Sequence, residues 1–187
     1  KKSVFDPINY SGIHLTAQLS KCAERLLKIM YVPHLTSTVS FGPNQFAYTK
    51  GRGARDALAH LVITWIKATA LGRKVGVYCS DVSGAFDRVN AERLIAKLRA
   101  KKLRPEIVGA LASWLRQRKA QVVVGGEKSH EFTLADMVYQ GTVLGLVLWN
   151  VFYEDARQAI EEWMFQEIVY ADDLNAYREF VGTTENA

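Results

Sequence analysis

The stretch Ile168-Val169-Tyr170-Ala171-Asp172-Asp173-Leu174-Asn175-Ala176-Tyr177 places two adjacent carboxylates inside a segment otherwise rich in strand formers. It predicts two short strands around a tight turn at Asp172-Asp173. A two-residue hairpin turn favours Asn-Gly or Asp-Gly, because glycine accepts positive φ at no steric cost, whereas neighbouring carboxylates repel. An Asp-Asp pair by itself is more often an ordinary polar turn. A turn that local folding disfavours inside an apolar hairpin nevertheless points to function.

A third carboxylate adds weight. Lys74 to Val82 is rich in β-formers, follows Gly72 and ends at Ser83-Gly84, which predicts a buried strand with Asp81 at its carboxyl end. In a small sheet, two strand ends can lie side by side. Carboxylates converging to ~4 Å repel by several kcal/mol per pair even at an effective dielectric near 20, so they need a cation. All-oxygen sites select Mg²⁺ or Mn²⁺ over zinc, and paired metals of this kind suit in-line phosphoryl transfer.

Outward from these strands, helices are predicted at 17–30, with Thr16 as N-cap and Leu19, Cys22, Ala23, Leu26, Leu27 and Met30 as the buried face, at 54–70, at 91–102 and at 105–118. Residues 31–53 read as a loop, with at most a short strand near Gln45–Tyr48. Gln121–Val124, Gly125-Gly126 and Ser129–Leu134 read as a β-hairpin, and Leu144 to Trp163 as a long helix. Strands and helices mix without regular alternation, which gives an α+β fold with a small antiparallel sheet packed on helices.

Length and composition agree with one folded domain: 187 residues, 49% hydrophobic and 23% charged. The net charge of +5 hides a segregation, with 22 basic and 8 acidic residues in 1–128 against 2 basic and 11 acidic in 129–187. That asymmetry suits a phosphate-rich ligand on one side and cation-binding carboxylates on the other. Cys22 and Cys79 stand too far apart for a Cys-x-x-Cys pair, and they suggest a reducing, intracellular setting. The longest run without charge or histidine, 137–153, carries Gln140, Gly141, Thr142 and Asn150, so no membrane span is expected. The amino terminus lacks the apolar core of a signal peptide and reads as an excision from a longer chain. His-Glu-x-x-His, Gly-x-Ser-x-Gly and Walker lysine motifs are absent, which removes zinc-protease, α/β-hydrolase and nucleotide-switch readings.

Four motifs in order carry a resemblance. Ser80-Asp81-Val82-Ser83-Gly84-Ala85-Phe86-Asp87-Arg88-Val89 resembles the first catalytic motif of reverse transcriptases, those of non-LTR retrotransposons above all. Gln140-Gly141-Thr142-Val143-Leu144-Gly145 with Leu148-Trp149-Asn150 resembles the second, and Tyr170-Ala171-Asp172-Asp173 the third. Gln45-Phe46-Ala47-Tyr48-Thr49-Lys50-Gly51-Arg52 is similar to the family's fingers segment, and Tyr10–Glu24 to the segment before it.

The resemblance implies a right-hand polymerase fold: a fingers-like segment at 1–72 and a palm with a fingers insertion at 73–187, the thumb absent. It implies an RNA-directed DNA polymerase that uses Mg²⁺, or Mn²⁺, with an RNA template, a DNA primer and deoxynucleoside triphosphates as partners. The setting implied is intracellular, nucleus or cytoplasm, within a ribonucleoprotein. Asp81 and Asp172 become the principal metal ligands, Asp173 supports them and the Val82 carbonyl assists. Phe86 closes off the 2′ side of the incoming sugar, Gln140 and Gly141 pack against the nascent base pair, and Lys50 and Arg52 contact triphosphate. Arg93, Lys97, Lys101 and Arg104 form a stripe that could follow a template backbone. The chain departs from the family where arginine is usual at Ser11 and Thr49 and proline is usual at Leu146. Those departures leave room for an inactive retroelement remnant that serves as a nucleic-acid-binding module.

Overall fold

In the computed structural model, Asp6, Tyr10 and residues 12–134 and 137–181 are described. Its elements are α1 (Gln18–Ser37), α2 (Ala54–Ala70), β1 (Arg73–Ser80), α3 (Ala91–Ala100), α4 (Pro105–Leu115), four two-residue strands β2 (Lys119–Ala120), β3 (Val123–Val124), β4 (Glu127–Lys128) and β5 (Phe132–Thr133), α5 (Gly145–Glu162), β6 (Gln166–Tyr170) and β7 (Asp173–Val181). A 3₁₀ turn covers Phe86–Arg88. The fold is the expected α+β mixture. Two units can be distinguished: the described parts of Lys1–Pro33 and Phe86–Leu148 form one, and those of His34–Ala85 and Trp149–Ala187 the other. Among the described residues no helix is long and apolar enough to cross a membrane.

The second unit holds a three-stranded antiparallel sheet in the order β1-β7-β6. β6 and β7 form the hairpin the sequence predicts, although β7 runs nine residues and is not short. Helix α2 lies on the sheet, where Phe46, Ala57, Leu61, Ile168 and Tyr177 make a buried cluster with Trp65 and Val75 against it. Burying a side chain the size of Phe46, Leu61 or Ile168 stabilises by about 1.5–3 kcal/mol, which fixes the helix on the strands. β1, expected to be buried, is mostly exposed. It is an edge strand, and its apolar alternation is interrupted by Gly76 and by the charged Arg73 and Lys74.

In the first unit α3 and α4 pack through Leu94, Ile95 and Leu98 against Ile107, Val108 and Leu111, the apolar positions of two amphipathic helices. Asn90 caps α3 by accepting from the Arg93 N–H, and Pro105 opens α4. The predicted hairpin at 121–134 is split into two short ladders, β2 with β5 and β3 with β4. Gly125 and Gly126 turn it, both at positive φ, as a type I′ turn requires.

Helix α1 corrects two expectations. It continues to Ser37 through Pro33, where a loop was expected to begin. Proline removes the N–H that would bond the Ile29 carbonyl, and Ile29 is exposed enough for water to take its place. The buried face is also not the predicted one. Leu19 and Leu26 are 85% and 65% exposed, whereas Glu24 and Tyr31 are buried.

Candidate active site

The site grows out of two strand registers. The β1–β7 ladder ends at Ser80 opposite Leu174, and the β6–β7 ladder ends at Tyr170 opposite Asp173. Asp81, one residue past β1, therefore comes to the end of the sheet where Asp173 starts the central strand. Asp172 occupies the two-residue turn with Ala171. Asp81 and Asp173 line one cleft of about 410 Å³, together with Ala57 and Leu61 of α2 and Tyr170 of β6.

The carboxylates sense one another. Burial raises the Asp172 carboxyl above the ordinary aspartate value, a backbone hydrogen bond draws it back, and the charges of Asp173 and Asp81 push it up again. The Tyr153 phenol is raised by burial and then by Asp172, Asp173 and Asp81. Tyr48 is raised by burial and by Asp172 and Tyr170. Both phenols thus lie in the field of Asp172, whose own ionised form is disfavoured by burial and by Asp173 and Asp81, and a cation would relieve that repulsion. Among the described residues no three His, Cys, Asp or Glu side chains are grouped closely enough to hold a metal alone. A hard cation such as Mg²⁺ commonly takes only one or two carboxylates and completes its shell with water and substrate phosphate, so the donor set fits it.

The other predicted residues fall in both units. Val82 is half-buried, directly after Asp81. Lys50 is exposed, and so is Arg52, whose guanidinium lies 5.3 Å from the Phe46 ring centroid and donates to the Pro43 carbonyl. Thr49, where the family has arginine, hydrogen-bonds its own loop at the Gln45 and Ala47 carbonyls. Ser11, the other departure, lies outside the described residues. Phe86, Gln140 and Gly141 belong to the first unit, Phe86 buried and the other two exposed. Gly141 has φ +91°, and an added Cβ would come within 3.0 Å of the His14 carbonyl, so the chain's own backbone already requires glycine there. Gly145 starts α5 where a Cβ would meet the Tyr139 carbonyl at 2.5 Å and Thr142 Oγ1 at 2.7 Å. Of the proposed template stripe, Arg93 and Arg104 are exposed while Lys97 and Lys101 are half-buried.

Residue-by-residue reading gave no role to Tyr153, Gln45, Trp149 or Glu24. Tyr153 follows Asn150 by three positions on α5 and stacks on Trp149, with ring centroids 5.0 Å apart. Buried Glu24 accepts hydrogen bonds from the Val143 and Leu144 N–H groups at 2.7 and 3.3 Å, holding the loop that leads into α5. The available signal was a lone carboxylate on the polar face of an amphipathic pattern, which looks the same as a solvated one.

The chain has relatives among known proteins. A probable RNA-directed DNA polymerase from transposon BS of Drosophila melanogaster is 31% identical over 150 residues, covering 80% of this chain and 16% of that protein. The RNA-directed DNA polymerase from mobile element jockey of the same organism is 31% identical over 180 residues, 92% of this chain and 19% of the relative. The chain thus spans less than a fifth of the length of the curated relatives it matches. Among solved structures, apo telomerase from Candida tropicalis, truncated from its C-terminal domain, superposes with a TM-score of 0.61 at 12% identity, over 90% of this chain and 35% of that one. Telomerase from Candida albicans, solved with a fragment of telomeric RNA, gives 0.57 at 13%, over 86% and 29%. These likenesses establish a shared fingers-and-palm fold. The sequence model described as reverse transcriptase (RNA-dependent DNA polymerase) matches residues 2–180, nearly the whole chain, and the chain belongs to that family.

Proposed function

We propose that this chain is the fingers-and-palm portion of an RNA-directed DNA polymerase, with a fingers-like segment at 1–72 and a palm carrying a fingers insertion at 73–187. The observation that carries the reading is the arrival of Asp81 and Asp173 in one cleft at one end of the sheet, with Asp172 in the adjoining turn. Asp81 and Asp172, supported by Asp173 and the Val82 carbonyl, would hold Mg²⁺ or Mn²⁺. The bound ions supply charge neutralisation at the reacting phosphate and activation of the attacking hydroxyl.

In the reaction the primer 3′-oxygen bonds to the α-phosphorus of a deoxynucleoside triphosphate. The bond to the β-phosphate oxygen breaks, pyrophosphate leaves with its electron pair, and the hydroxyl proton passes to solvent. Lys50 and Arg52 are the cations available to the triphosphate, Arg52 after leaving Pro43. Phe86 screens the sugar 2′ position, and Gln140 and Gly141 meet the nascent base pair. The RNA template follows the basic amino-terminal part, in an intracellular ribonucleoprotein. Family membership across residues 2–180 favours this polymerase over the inactive remnant.

The test is primer extension on an RNA template, in Mg²⁺ and then Mn²⁺, by the wild-type chain and by Asp81→Asn and Asp172→Asn. Positioning and electrostatic stabilisation supply nearly all the catalysis of phosphoryl transfer, so each variant should lose about 10³-fold or more. Variants that extend as well as the wild type, or a wild type inert in both metals, would refute the reading.

A further inference from the structure

Ala171, the residue before Asp172, has φ +59°, a left-handed conformation that glycine takes freely and alanine does not. It is the first central residue of the hairpin turn, and its side chain is buried. Three hydrogen bonds hold its peptide groups. Its N–H donates to Gln45 Oε1 at 3.2 Å, its carbonyl accepts from Trp149 Nε1 at 2.9 Å, and the Gln45 side-chain amide donates to the same carbonyl at 3.4 Å.

Gln45 is itself fixed. It is 3% exposed, its Oε1 also accepts from the Ala47 N–H at 3.0 Å, and its backbone pairs with Val169 in a parallel bridge. The flanking bonds from the Phe46 N–H to the Val169 carbonyl and from the Val169 N–H to the Asn44 carbonyl seal 44–46 against β6. Trp149 is fixed by burial and by its stack on Tyr153.

We propose that Gln45 and Trp149 are positioning residues: they clamp the Ala171 peptide groups in the left-handed turn and so fix Asp172 in the turn beside Asp81 and Asp173. This rests on the polymerase reading for its consequence in catalysis, though not for the clamp itself. A left-handed alanine persists only where its surroundings over-determine it, and such strain gathers at functional sites. The clamp acts on backbone atoms, so it leaves the carboxylates of Asp172 and Asp173 free for a ligand. It also explains why the turn dispenses with glycine: side chains arriving from α5 and from the segment before α2 supply the bias that glycine would otherwise give.

The test compares Gln45→Met, which keeps the volume and removes the bonds, and Trp149→Phe, which keeps a stacking ring and removes the donor. Gln45→Glu rescues the acceptor side alone, since it retains the acceptor for both N–H groups and loses the donor to the Ala171 carbonyl. In the ¹⁵N-labelled 187-residue chain, native-state exchange of the Ala171 amide should accelerate about five- to fifty-fold in Gln45→Met, the factor for one to two lost hydrogen bonds, and recover in Gln45→Glu. Affinity for Mn²⁺ alone, followed by its electron spin resonance, should weaken by a similar factor in Gln45→Met and Trp149→Phe, because only the clamped fraction binds. In primer extension kcat should fall while KM for the deoxynucleotide holds. Unchanged Ala171 exchange in Gln45→Met overturns the clamp. Faster exchange with unaltered Mn²⁺ affinity and kcat overturns the positioning role and leaves a purely structural contact. A wild type that extends no primer, yet shows the exchange and Mn²⁺ effects, upholds the clamp while the polymerase reading fails.

Discussion

Replacing Glu24 by alanine should cost more than its place on a helix surface suggests. Its buried carboxylate accepts from the Val143 N–H at 2.7 Å, from the Leu144 N–H at 3.3 Å and from the Ser20 hydroxyl at 3.3 Å. The first is a short charge-assisted bond, worth about 1.5–3 kcal/mol, and the two longer ones add about 0.5 kcal/mol each at the low end of the ordinary range. The carboxylate also faces the amino terminus of α5, which adds about 0.3–1 kcal/mol from the helix dipole. Releasing a buried charge to solvent offsets part of this, which leaves a loss of about 2–4 kcal/mol. Glu24→Gln keeps one acceptor for the Val143 N–H and should lose about half as much. Urea unfolding followed by circular dichroism reads both values. A Glu24→Ala loss below about 1 kcal/mol, or an alanine and a glutamine variant of equal stability, would contradict a carboxylate that organises the Gln140–Leu144 loop.

Further expectations follow from other residues. Gly42 has φ +74°, and an added Cβ would lie 2.6 Å from Arg157 Cζ and 2.7 Å from Cδ; Gly42→Ala should cost about 3–5 kcal/mol in thermal or urea unfolding, because it displaces Arg157 and strands the buried Glu167 charge. The Glu167 carboxyl is raised by burial, against the pull of Arg157 and Asn44, so its contribution to stability is present in full below the ordinary glutamate value and is lost as pH rises through the raised one. Unfolding titrations from pH 4 upward should therefore show the wild type losing stability relative to Glu167→Gln, and parallel curves would count against the shift. Phe86→Val should raise ribonucleotide incorporation relative to deoxynucleotide in an extension assay, whereas an unmoved preference would make the buried Phe86 ring a packing residue only.

How much of this was legible follows the range over which each signal acts. The hairpin around Asp172, the strand ending before Asp81 and helices α2 to α5 came from local periodicity and turn chemistry, and they stand where expected within a few residues. The juxtaposition of Asp81 with Asp173 depended only on strand ends meeting. What failed was non-local. The apolar stripe of α1 through Leu19 and Leu26 predicted the wrong face, because Glu24 finds its partners 119 and 120 positions away, where no pattern advertises them. Gln45 likewise meets Ala171 across 126 positions. The partners of Arg52, the Phe46 ring and the Pro43 carbonyl, also depend on a loop conformation that only the folded chain defines.

The two margins of the sheet are unlike, and this bears on how the protein misassembles. On the β6 side, the parallel bridge from Gln45 to Val169 occupies the margin. On the β1 side, no strand among the described residues pairs beyond Arg73–Ser80. Two molecules could therefore join β1 to β1 in an antiparallel pair, and each would then present outward a β6 margin on which Val169 is already bonded to Asn44 and Phe46. A centred pair would set Arg73 and Lys74 of each copy against the Cys79–Ser80 end of the other, and such charged side chains on an open edge discourage that step. The segment that holds the Ala171 turn thus also takes up part of the margin through which such a pair would have to grow.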